Sequence, residues 1–245
     1  MRKKWVSGLI AGLGVSILGM ASASAHDALA AEYCVPAGPR VALTFDDGPW
    51  SNFTPELLSI LNEKQVLGTF FVVGQRVRAN PKTLQLVYQA GHEIGLHTDS
   101  HQSLVTLTPT AQNAQIQRNY DAVRAVLPDM PIRYWRAPYG AVPKHLPSVV
   151  VDLGLKHQGW SVDTQDWRKP TEEIFLSNAL GRVQDRAVIL MHEHTYDTRT
   201  FLPVLIDKLR EKGYQFVVLS DLKAPTCPEN VLVVKPDEEP VENSI

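Results

Sequence analysis

Residues 41–49 read Val-Ala-Leu-Thr-Phe-Asp-Asp-Gly-Pro, an apolar run that ends in two acids, a glycine and a proline. Such a short apolar run, bounded by turn residues, predicts a buried β-strand. Asp, Gly and Pro all favour turns, so the strand is expected to end where its charges begin. The stretch therefore predicts a buried strand that presents two carboxylates at its carboxyl end.

The same arrangement recurs along the chain, because short apolar runs alternate with amphipathic stretches. Seven strands are predicted, at residues 41–45, 68–73, 93–97, 132–136, 156–160, 187–191 and 215–219. Strands that alternate with helical patterns predict parallel βα units in one layered domain. A distorted or incompletely closed (β/α) barrel of about seven parallel strands fits this pattern better than an open sheet, although periodicity alone does not separate the two.

Helix signals lie between the predicted strands. Thr54 and Thr108 each precede a proline, which predicts an N-cap followed by proline at the first helical position. Thr171 precedes two glutamates, whose charges suit the amino end of a helix. Gly91 and Gly213 stand where helices are expected to end.

The two ends of the chain differ from its centre. Residues 1–25 combine three basic residues, a short apolar stretch and small residues, which predicts a secretory signal peptide cleaved after Ala25. The alternative is a membrane anchor, but a spanning helix needs about 20 apolar residues. Residues 26–37 are interpreted as a lead-in, residues 38–222 as one folded domain, and residues 223–245 as an acidic tail.

Composition and charge narrow the class of function. The 245 residues are 44% hydrophobic and 20% charged, as is ordinary for a soluble globular protein. Removing three basic residues with the signal leaves 21 basic against 26 acidic residues, a net charge of −5. This balance argues against nucleic-acid binding and is compatible with a neutral sugar. We expect a secreted or periplasmic monomer with no membrane attachment after cleavage.

The two cysteines, Cys34 and Cys227, stand at opposite ends of the mature chain. In an oxidising compartment a disulfide between them is plausible. Two separate buried thiols are the alternative. The disulfide is favoured because the chain ends of compact domains often lie close together.

Carboxylates and histidines follow the first and third predicted strands. Asp46 and Asp47 alone are explained equally well by a turn. His97 and His101 are four residues apart, which on a helix or tight loop places both rings on one side. Ordinary surface histidines are the alternative. Together with Asp47 they form a set of two imidazoles and one carboxylate, which is typical of catalytic zinc and also resembles non-haem iron sites.

Further polar residues end the other strands. His192 follows an apolar run and suits a general acid, although a structural histidine is the alternative and His194 is a rival. Arg136 could simply end a strand, but pairing with Asp46 would lower the pKa of that carboxyl and keep it ionised. The backbone N–H of Tyr139 could serve an oxyanion hole.

Residues 163–167, Asp-Thr-Gln-Asp-Trp, follow the fifth predicted strand. They could be only a polar loop with a packing tryptophan. A carboxylate from this segment beside His192 would raise the pKa of the imidazole and fix its tautomer. Barrel enzymes build active sites from the carboxyl ends of their strands, so all these motifs are expected to converge at one end of the barrel.

In this order the motifs resemble those of the polysaccharide deacetylases of carbohydrate esterase family four, the NodB homology domain. The resemblance covers roughly residues 38–220, and its five motifs match residues 44–48, 97–101, 136–139, 163–167 and 190–192. It implies a distorted (β/α) barrel that removes acetyl groups from N-acetylglucosamine polymers, or O-acetyl groups from xylan. It also implies one divalent ion, zinc or a related metal, and two histidines with one aspartate suit cobalt, nickel or manganese as well.

The resemblance also implies roles by position. Asp46 would be the general base, and His192 would be the general acid. Asp47, His97 and His101 would hold the divalent ion.

Supporting roles follow from the same match. Arg136 would orient Asp46, and Asp166 would tune His192. The remaining matches would line the pocket. Trp167 and Leu190 would contact the sugar and the acetyl methyl group, and the backbone N–H of Tyr139 would stabilise the oxyanion.

Glu193 and His194 depart from the family pattern, because an aspartate is common after the catalytic histidine in relatives. The leaving-group side of the site is therefore expected to differ. The loops around the motifs are short, which predicts an open groove with modest selectivity for chain length.

The function expected from the sequence is hydrolysis of N-acetyl groups in chitin oligosaccharides or peptidoglycan, releasing acetate and a free amine. An acetylxylan esterase is the second reading, because ester and amide hydrolysis share a tetrahedral intermediate. A metal-bearing glycan-binding protein without catalysis is the third.

Overall fold

The first predicted strand forms the centre of the sheet. In the computed structural model, which describes residues 34–227, β1 (Arg40–Gly48) is nine residues long and buried at all but one position. It pairs in parallel with β2 (Thr69–Val72), β7 (Ala187–His192) and β8 (Gln215–Phe216). The burial predicted for residues 41–45 therefore extends to Asp46, whereas Asp47 is partly exposed.

The sheet has eight parallel strands among the described residues. Besides β1, β2, β7 and β8, the strands are β3 (Glu93–Leu96), β4 (Tyr134–Trp135), β5 (Lys156–His157) and β6 (Val162–Asp163). Their order is β5-β4-β3-β2-β1-β7-β6, and β8 pairs with the amino end of β1. The edge strands β5 and β6 are consecutive in the chain and separated only by residues 158–161. The sheet therefore curls until its edges nearly meet, which confirms the distorted, incompletely closed barrel.

The predicted strand list needs two corrections. Strand β6 was missed, because a strand of two residues is too short to produce a periodic signal. The strands predicted at 132–136, 156–160 and 215–219 each shrink to two residues. At β5 the reason is visible, because the carbonyl groups of Gln158 and Gly159 accept hydrogen bonds from a buried arginine instead of continuing the ladder.

Seven α-helices connect the strands within residues 34–227. They are α1 (Phe53–Glu63), α2 (Gly74–Ala79), α3 (Pro81–Gln89), α4 (Pro109–Val126), α5 (Ser148–Asp152), α6 (Glu172–Leu180) and α7 (Tyr196–Glu211). Short 3-10 turns are formed by Leu104–Thr106, Pro138–Gly140, Asp166–Arg168 and Leu219–Asp221. Gly91 and Gly213 follow α3 and α7 with a φ of +82° each, as expected for residues after a helix end.

Of the two predicted N-caps, Thr108 is confirmed, and Thr171 also caps the helix whose first turn was predicted to hold two glutamates. The side chains of Thr108 and Thr171 each accept a hydrogen bond from the backbone N–H three residues later. The prediction for Thr54 was wrong, because α1 already begins at Phe53. The Thr54 side chain is buried and its hydroxyl donates to Glu193 instead, so a tertiary contact has replaced the cap.

Alternation along β1 decides which side chains enter the barrel. Val41, Leu43 and Phe45 pack in the large apolar cluster with the helices, whereas Ala42 belongs to a smaller cluster. The smaller cluster consists of Val35, Ala42, Phe71, Val188, Val217, Leu219 and Leu222. Since side chains of a strand alternate between faces, Asp46 shares the face of Ala42 and points into the barrel.

The ends of the described chain are tied together. Val35 forms an isolated parallel bridge with Thr226. Cys34 and Cys227 form the predicted disulfide. Residues 1–25 and the tail beyond Cys227 lie outside the described residues, and with them lies the predicted signal peptide. Of the helices described, none is both long enough and apolar enough for a membrane crossing.

Candidate functional site

The carboxyl ends of the strands surround a pocket of about 450 Å³. It is lined by Asp46, Asp47, His97, His101, Tyr139, Trp160, Asp163, Trp167, Leu190, His192 and His194. Eight of the ten residues singled out from the sequence are in this lining. The other two, Arg136 and Asp166, lie behind it, where they contact Asp46 and His192.

Three of these side chains, Asp47, His97 and His101, converge as a candidate metal-binding set. The Oδ1 atom of Asp47 lies 3.5 Å from Nε2 of His97 and 3.1 Å from Nε2 of His101. The three ligand atoms lie within 4.8 Å of one another. Asp47 Oδ1 is buried and has no hydrogen-bond partner among the described residues. A buried carboxylate oxygen without a partner, facing two imidazole nitrogens, fits a divalent cation such as zinc.

The backbone brings these ligands together through turns, not through a helix. Asp47 and His101 have φ angles of +75° and +57°, a left-handed conformation that non-glycine residues seldom adopt. The loop between the two histidines is fixed by Gln115 of α4, whose side-chain oxygen accepts the N–H groups of Asp99 and Ser100, both at 3.0 Å. Local strain at the site is therefore held in place by packing against a helix.

The protonation state of His97 suits a metal ligand. Its Nδ1 lies 2.9 Å from the backbone carbonyl oxygen of Arg136. A carbonyl oxygen only accepts, so Nδ1 carries the hydrogen and the lone pair on Nε2 faces the site. Burial lowers the pKa of His97 to about 3, which keeps the ring neutral.

A buried ion pair stands beside the metal-binding set. Nη1 of Arg136 donates to Asp46 Oδ1 at 2.7 Å and to the Thr44 hydroxyl at 2.9 Å. The other guanidinium nitrogens donate to the carbonyl oxygens of Gln158 at 2.9 Å and Gly159 at 3.0 Å. All three guanidinium nitrogens of Arg136 thus donate hydrogen bonds, and Nη1 fixes the position of one oxygen of Asp46.

The second oxygen of Asp46 belongs to the pocket. Oδ2 lies 3.6 Å from Nε2 of His97, at the edge of the metal-binding set. Burial raises the pKa of Asp46, while the charges of Arg136 and His192 act in the opposite direction. Arg136 lowers the pKa of Asp46 as predicted, but burial of the carboxylate has the larger effect, so the pKa is raised overall.

A second polar pair borders the pocket, built around the buried carboxylate of Asp166. Its Oδ1 lies 2.8 Å from Nδ1 of His192 and accepts the backbone N–H of Trp167 at 2.9 Å. Its Oδ2 accepts the backbone N–H of His192 at 2.7 Å and the hydroxyls of Thr195 at 2.9 Å and Thr198 at 2.5 Å.

These contacts set the charge of His192. Burial alone would lower the pKa of this imidazole, but the hydrogen bond and charge of Asp166, with smaller contributions from Asp46 and Asp47, raise it to about 9. Burial would likewise raise the pKa of Asp166, but the hydrogen bonds it accepts, chiefly from His192 and Thr198, lower it. His192 is therefore a cation near neutral pH, and Nε2 is the nitrogen left for the pocket.

Strand register explains why the Asp46–Arg136 pair and the His192–Asp166 pair lie next to each other. Asp46 on β1 is the pairing partner of His192 on the neighbouring strand β7. Residues paired across parallel strands point to the same face of the sheet. A carboxylate and an imidazolium therefore project side by side into the pocket, although 145 residues separate them in the chain.

The remaining walls are mainly aromatic and apolar. Tyr139 has a φ of +61°, is 72% exposed, and its ring centroid lies 4.8 Å from that of His101. Trp167 is 52% exposed and stands at the rim with the Arg168 guanidinium 4.5 Å from its ring. Leu190 is buried. A pocket that combines aromatic edges with carboxylates and imidazoles suits a sugar ring.

Three lining residues were not assigned a role from the sequence. Trp160 was interpreted as the end of a strand, and Asp163 was placed in a loop when it belongs to β6. His194 was considered only as a rival to His192, and its Nδ1 lies 3.7 Å from Asp47 Oδ2. The signal that marks these residues is position, because each follows or ends a strand on the pocket side.

Glu193 does not line the pocket. Its carboxyl is buried beneath Gly48, where an added Cβ would come within 1.6 Å of it, and it accepts a hydrogen bond from Thr54. Burial raises the pKa of Glu193 to about 8, with Asp47 and Asp46 adding to the effect. Of the two residues that depart from the family pattern, only His194 reaches the pocket.

A family model described as polysaccharide deacetylase matches residues 35–157. The peptidoglycan-N-acetylglucosamine deacetylase PgdA of Listeria monocytogenes is 37% identical over 183 residues, which are 75% of this chain and 38% of that protein. A chitooligosaccharide deacetylase of Sinorhizobium fredii is 35% identical over 155 residues, 63% of this chain and 72% of that protein. The chain thus matches well under half the length of the Listeria protein.

Solved structures show the same fold. A pseudoenzyme of carbohydrate esterase family four from Bacillus anthracis superposes with a TM-score of 0.72 and 27% identity, covering 78% of this chain and 68% of that one. Family membership therefore does not by itself establish catalysis. With the motif order, the barrel and the matched sequences in agreement, the chain belongs to the polysaccharide deacetylase family.

Proposed function

We propose that this chain is a divalent-metal-dependent hydrolase that removes N-acetyl groups from glycans containing N-acetylglucosamine, either chitin oligosaccharides or peptidoglycan. The observation that carries the proposal is that three features surround one pocket: the set of three candidate metal ligands, a carboxylate held by Arg136, and an imidazole held by Asp166. A binding protein needs the first of these, but a hydrolase also needs a group to accept a proton and another to donate one.

Asp47, His97 and His101 would hold the cation, with zinc preferred and cobalt, nickel or manganese as alternatives. When bound, a divalent ion polarises a carbonyl oxygen and makes water more acidic. Two imidazoles and one carboxylate leave positions open for water and substrate.

The base side acts through Asp46. Its Oδ2 accepts the proton of the attacking water, while Arg136 holds Oδ1 and so fixes the direction of the free oxygen. The backbone N–H of Tyr139 donates to the oxygen that becomes negative in the tetrahedral intermediate. Both groups are fixed before the substrate arrives, which lowers the reorganisation needed during the reaction.

The acid side acts through His192. Its Nε2 donates a proton to the amide nitrogen as the carbon–nitrogen bond breaks, and Asp166 stabilises the imidazolium until that moment. The products are acetate and a free amine. Leu190 would contact the acetyl methyl, and Trp167 would stack against the sugar face.

Two further parts of the proposal concern the cellular compartment of the enzyme and its oligomeric state. The signal-like residues 1–25 and the disulfide between Cys34 and Cys227 support a secreted or periplasmic enzyme, since disulfides persist in oxidising compartments. We expect the mature enzyme to act as a monomer.

The test is release of acetate by chelator-stripped protein, before and after zinc or cobalt is added. Three substrates are offered: the N-acetylglucosamine pentamer, peptidoglycan and acetylxylan. We expect metal-restored release from the pentamer or from peptidoglycan. Release from acetylxylan alone would identify an O-acetyl esterase. Glycan binding without any acetate release, in protein shown to contain metal, would identify a non-catalytic binding protein.

A further inference from the structure

A second, smaller pocket adjoins the first. Its volume is about 280 Å³, and it is lined by Asp47, Trp50, Val73, Gln75, Arg76, Ser100, His101 and His194. It shares Asp47, His101 and His194 with the larger pocket. A group bound in the second pocket therefore lies beside Asp47 and His101, the proposed metal ligands that the two pockets share.

Arg76 is the fixed cation of this second pocket. Its guanidinium carbon lies 3.2 Å from the centroid of the Trp50 ring, so the planar group is held by stacking. Trp50 is fixed in turn, because its backbone N–H donates to the Thr54 hydroxyl at 2.8 Å and its ring packs edge-on against Phe53. The position of the charge is thus set before any ligand binds.

The hydrogen-bonding capacity of Arg76 is unused. Throughout residues 34–227, no carboxylate, carbonyl or hydroxyl oxygen accepts a hydrogen bond from its guanidinium. Arg78, Arg118 and Arg136 differ, because each donates to an aspartate at 2.7–3.2 Å. Stacking occupies the face of a guanidinium and leaves its edge of N–H donors free, which is the arrangement that binds a carboxylate through two parallel hydrogen bonds.

Electrostatics agree with this geometry. Arg76 is partly buried, and burial lowers the pKa of its guanidinium while the charges of Asp47 and Glu193 oppose that effect. Asp47 is also the proposed metal ligand, so its charge is shared with a divalent ion in the working enzyme. Arg76 is therefore a partly desolvated cation whose nearby anion, Asp47, is shared with the metal ion. Such a cation favours an anionic ligand.

We propose that the second pocket is a subsite for a carboxylate carried by the sugar next to the reacting N-acetyl group, and that Arg76 binds this carboxylate. The inference rests on the proposed function and narrows its substrate class. It favours a glycan with an acidic substituent on alternate sugars, such as peptidoglycan strands whose lactyl groups carry no peptide and so have free carboxylates, over neutral chitin. Free acetate, the reaction product, has the same chemistry and is the competing source of a ligand.

The experiment compares kcat/KM for acetate release by the metal-loaded enzyme on three tetrasaccharides. The first is prepared from peptidoglycan and has free lactyl carboxylates, the second is the same compound with those carboxylates converted to amides, and the third is the N-acetylglucosamine tetramer. The variants are Arg76→Gln, Arg76→Lys, and Lys82→Gln as a control. Lys82 is an exposed cation on the adjacent helix α3.

We expect Arg76→Gln to lower the ratio of kcat/KM for the carboxylated over the amidated glycan by about 10- to 100-fold, mainly through KM. Arg76→Lys should restore part of the ratio, because it keeps the charge but loses the paired donors. Lys82→Gln should leave it unchanged. An unchanged ratio in Arg76→Gln would overturn the proposal, as would equal losses on all three substrates.

Two further measurements, inhibition by added acetate and calorimetric binding, separate a substrate subsite from a product site and from failure of the proposed function. If Arg76→Gln instead relieves inhibition by added acetate and leaves the substrate ratio intact, the pocket binds the product and the proposal is wrong. If the enzyme releases no acetate from any glycan, the proposed function fails. Calorimetric binding of the carboxylated tetrasaccharide to Asp46→Asn protein, with and without Arg76→Gln, still tests the subsite, and equal Kd values would overturn it.

Discussion

The two sides of the main pocket are built from the same kind of pair, arranged in opposite order. On the base side the carboxylate of Asp46 faces the pocket, and the cation of Arg136 lies behind it. On the acid side the cation of His192 faces the pocket, and the carboxylate of Asp166 lies behind it. One arrangement therefore presents a proton acceptor and the other a proton donor.

The supporting contacts also differ, and they decide which form of each group is stable. Asp46 receives its direct hydrogen bond from Arg136, and burial still raises its pKa. Asp166 accepts five hydrogen bonds, and they outweigh burial. Burial alone does not fix the charge of a carboxylate, because the number and charge of its donors decide the outcome.

The two sides also depend on different parts of the fold. Arg136 is anchored by Thr44 on β1 and by carbonyl groups of residues 158 and 159, across the gap between the edge strands. Asp166 is anchored at the amino end of α7, where Thr195 is the N-cap. The positive end of a helix dipole favours the anionic form of a carboxylate, so this site adds to the stability of Asp166 as an anion.

The largest effect is expected on the base side. Asp46→Asn keeps an acceptor for Arg136 but removes the proton acceptor, so kcat should fall by about 10²–10⁴-fold. Metal content should match that of the wild type, because the ligand set is intact. Acetate release and metal analysis of the purified variant check both statements, with exposed Asp129→Asn as the control. Wild-type turnover in Asp46→Asn would remove Asp46 from its role.

An intermediate effect is expected on the acid side. His192 acts in its protonated form, so activity should be lost as pH rises through its pKa of about 9. Asp166→Asn removes the charge behind the ring, and the pKa should return toward the ordinary value of about 6.5. At pH 8 this change leaves about 3% of the ring protonated, a loss of about 30-fold in kcat.

The check on the acid side is the profile of kcat between pH 6 and 10. The descending limb should move to lower pH in Asp166→Asn, and the loss should be smallest at the acidic end of the range. A limb that stays near pH 9 would mean that Asp166 does not set the charge of His192, and the contrast between the two sides would fail.

The smallest effect concerns the support of Asp166. Thr198→Val keeps the shape of the side chain but removes one hydrogen bond to the carboxylate, so the free energy of unfolding should fall by about 1.5–3 kcal/mol. Thr200→Val is the matched control, because Thr200 lies on the same helix but is exposed. Its stability should stay within about 0.5 kcal/mol of the wild type. Equal denaturation midpoints for the two variants would contradict the assigned contact.

Features within one strand were predictable from the sequence. The alternation along β1 and the motifs at strand ends arise from neighbouring residues, and both appear in the structure. Strand β6 and the true environment of Thr54 were not predictable. The first is two residues long, and the second depends on Glu193, which is 139 residues away in the chain. Arg76 carried no motif, because its importance comes from a ring and a pocket formed by other segments.

The sequence by itself determined the order of the motifs, the types of metal ligand and the βα pattern, because these depend on residue identity and short spacing. Tertiary structure decided how Asp166 is held behind His192, why burial outweighs Arg136 in setting the pKa of Asp46, and which pocket receives Arg76. Burial, hydrogen-bond number and charge separation set these outcomes, and all three depend on residues that are distant in the chain and meet only when the barrel closes around them.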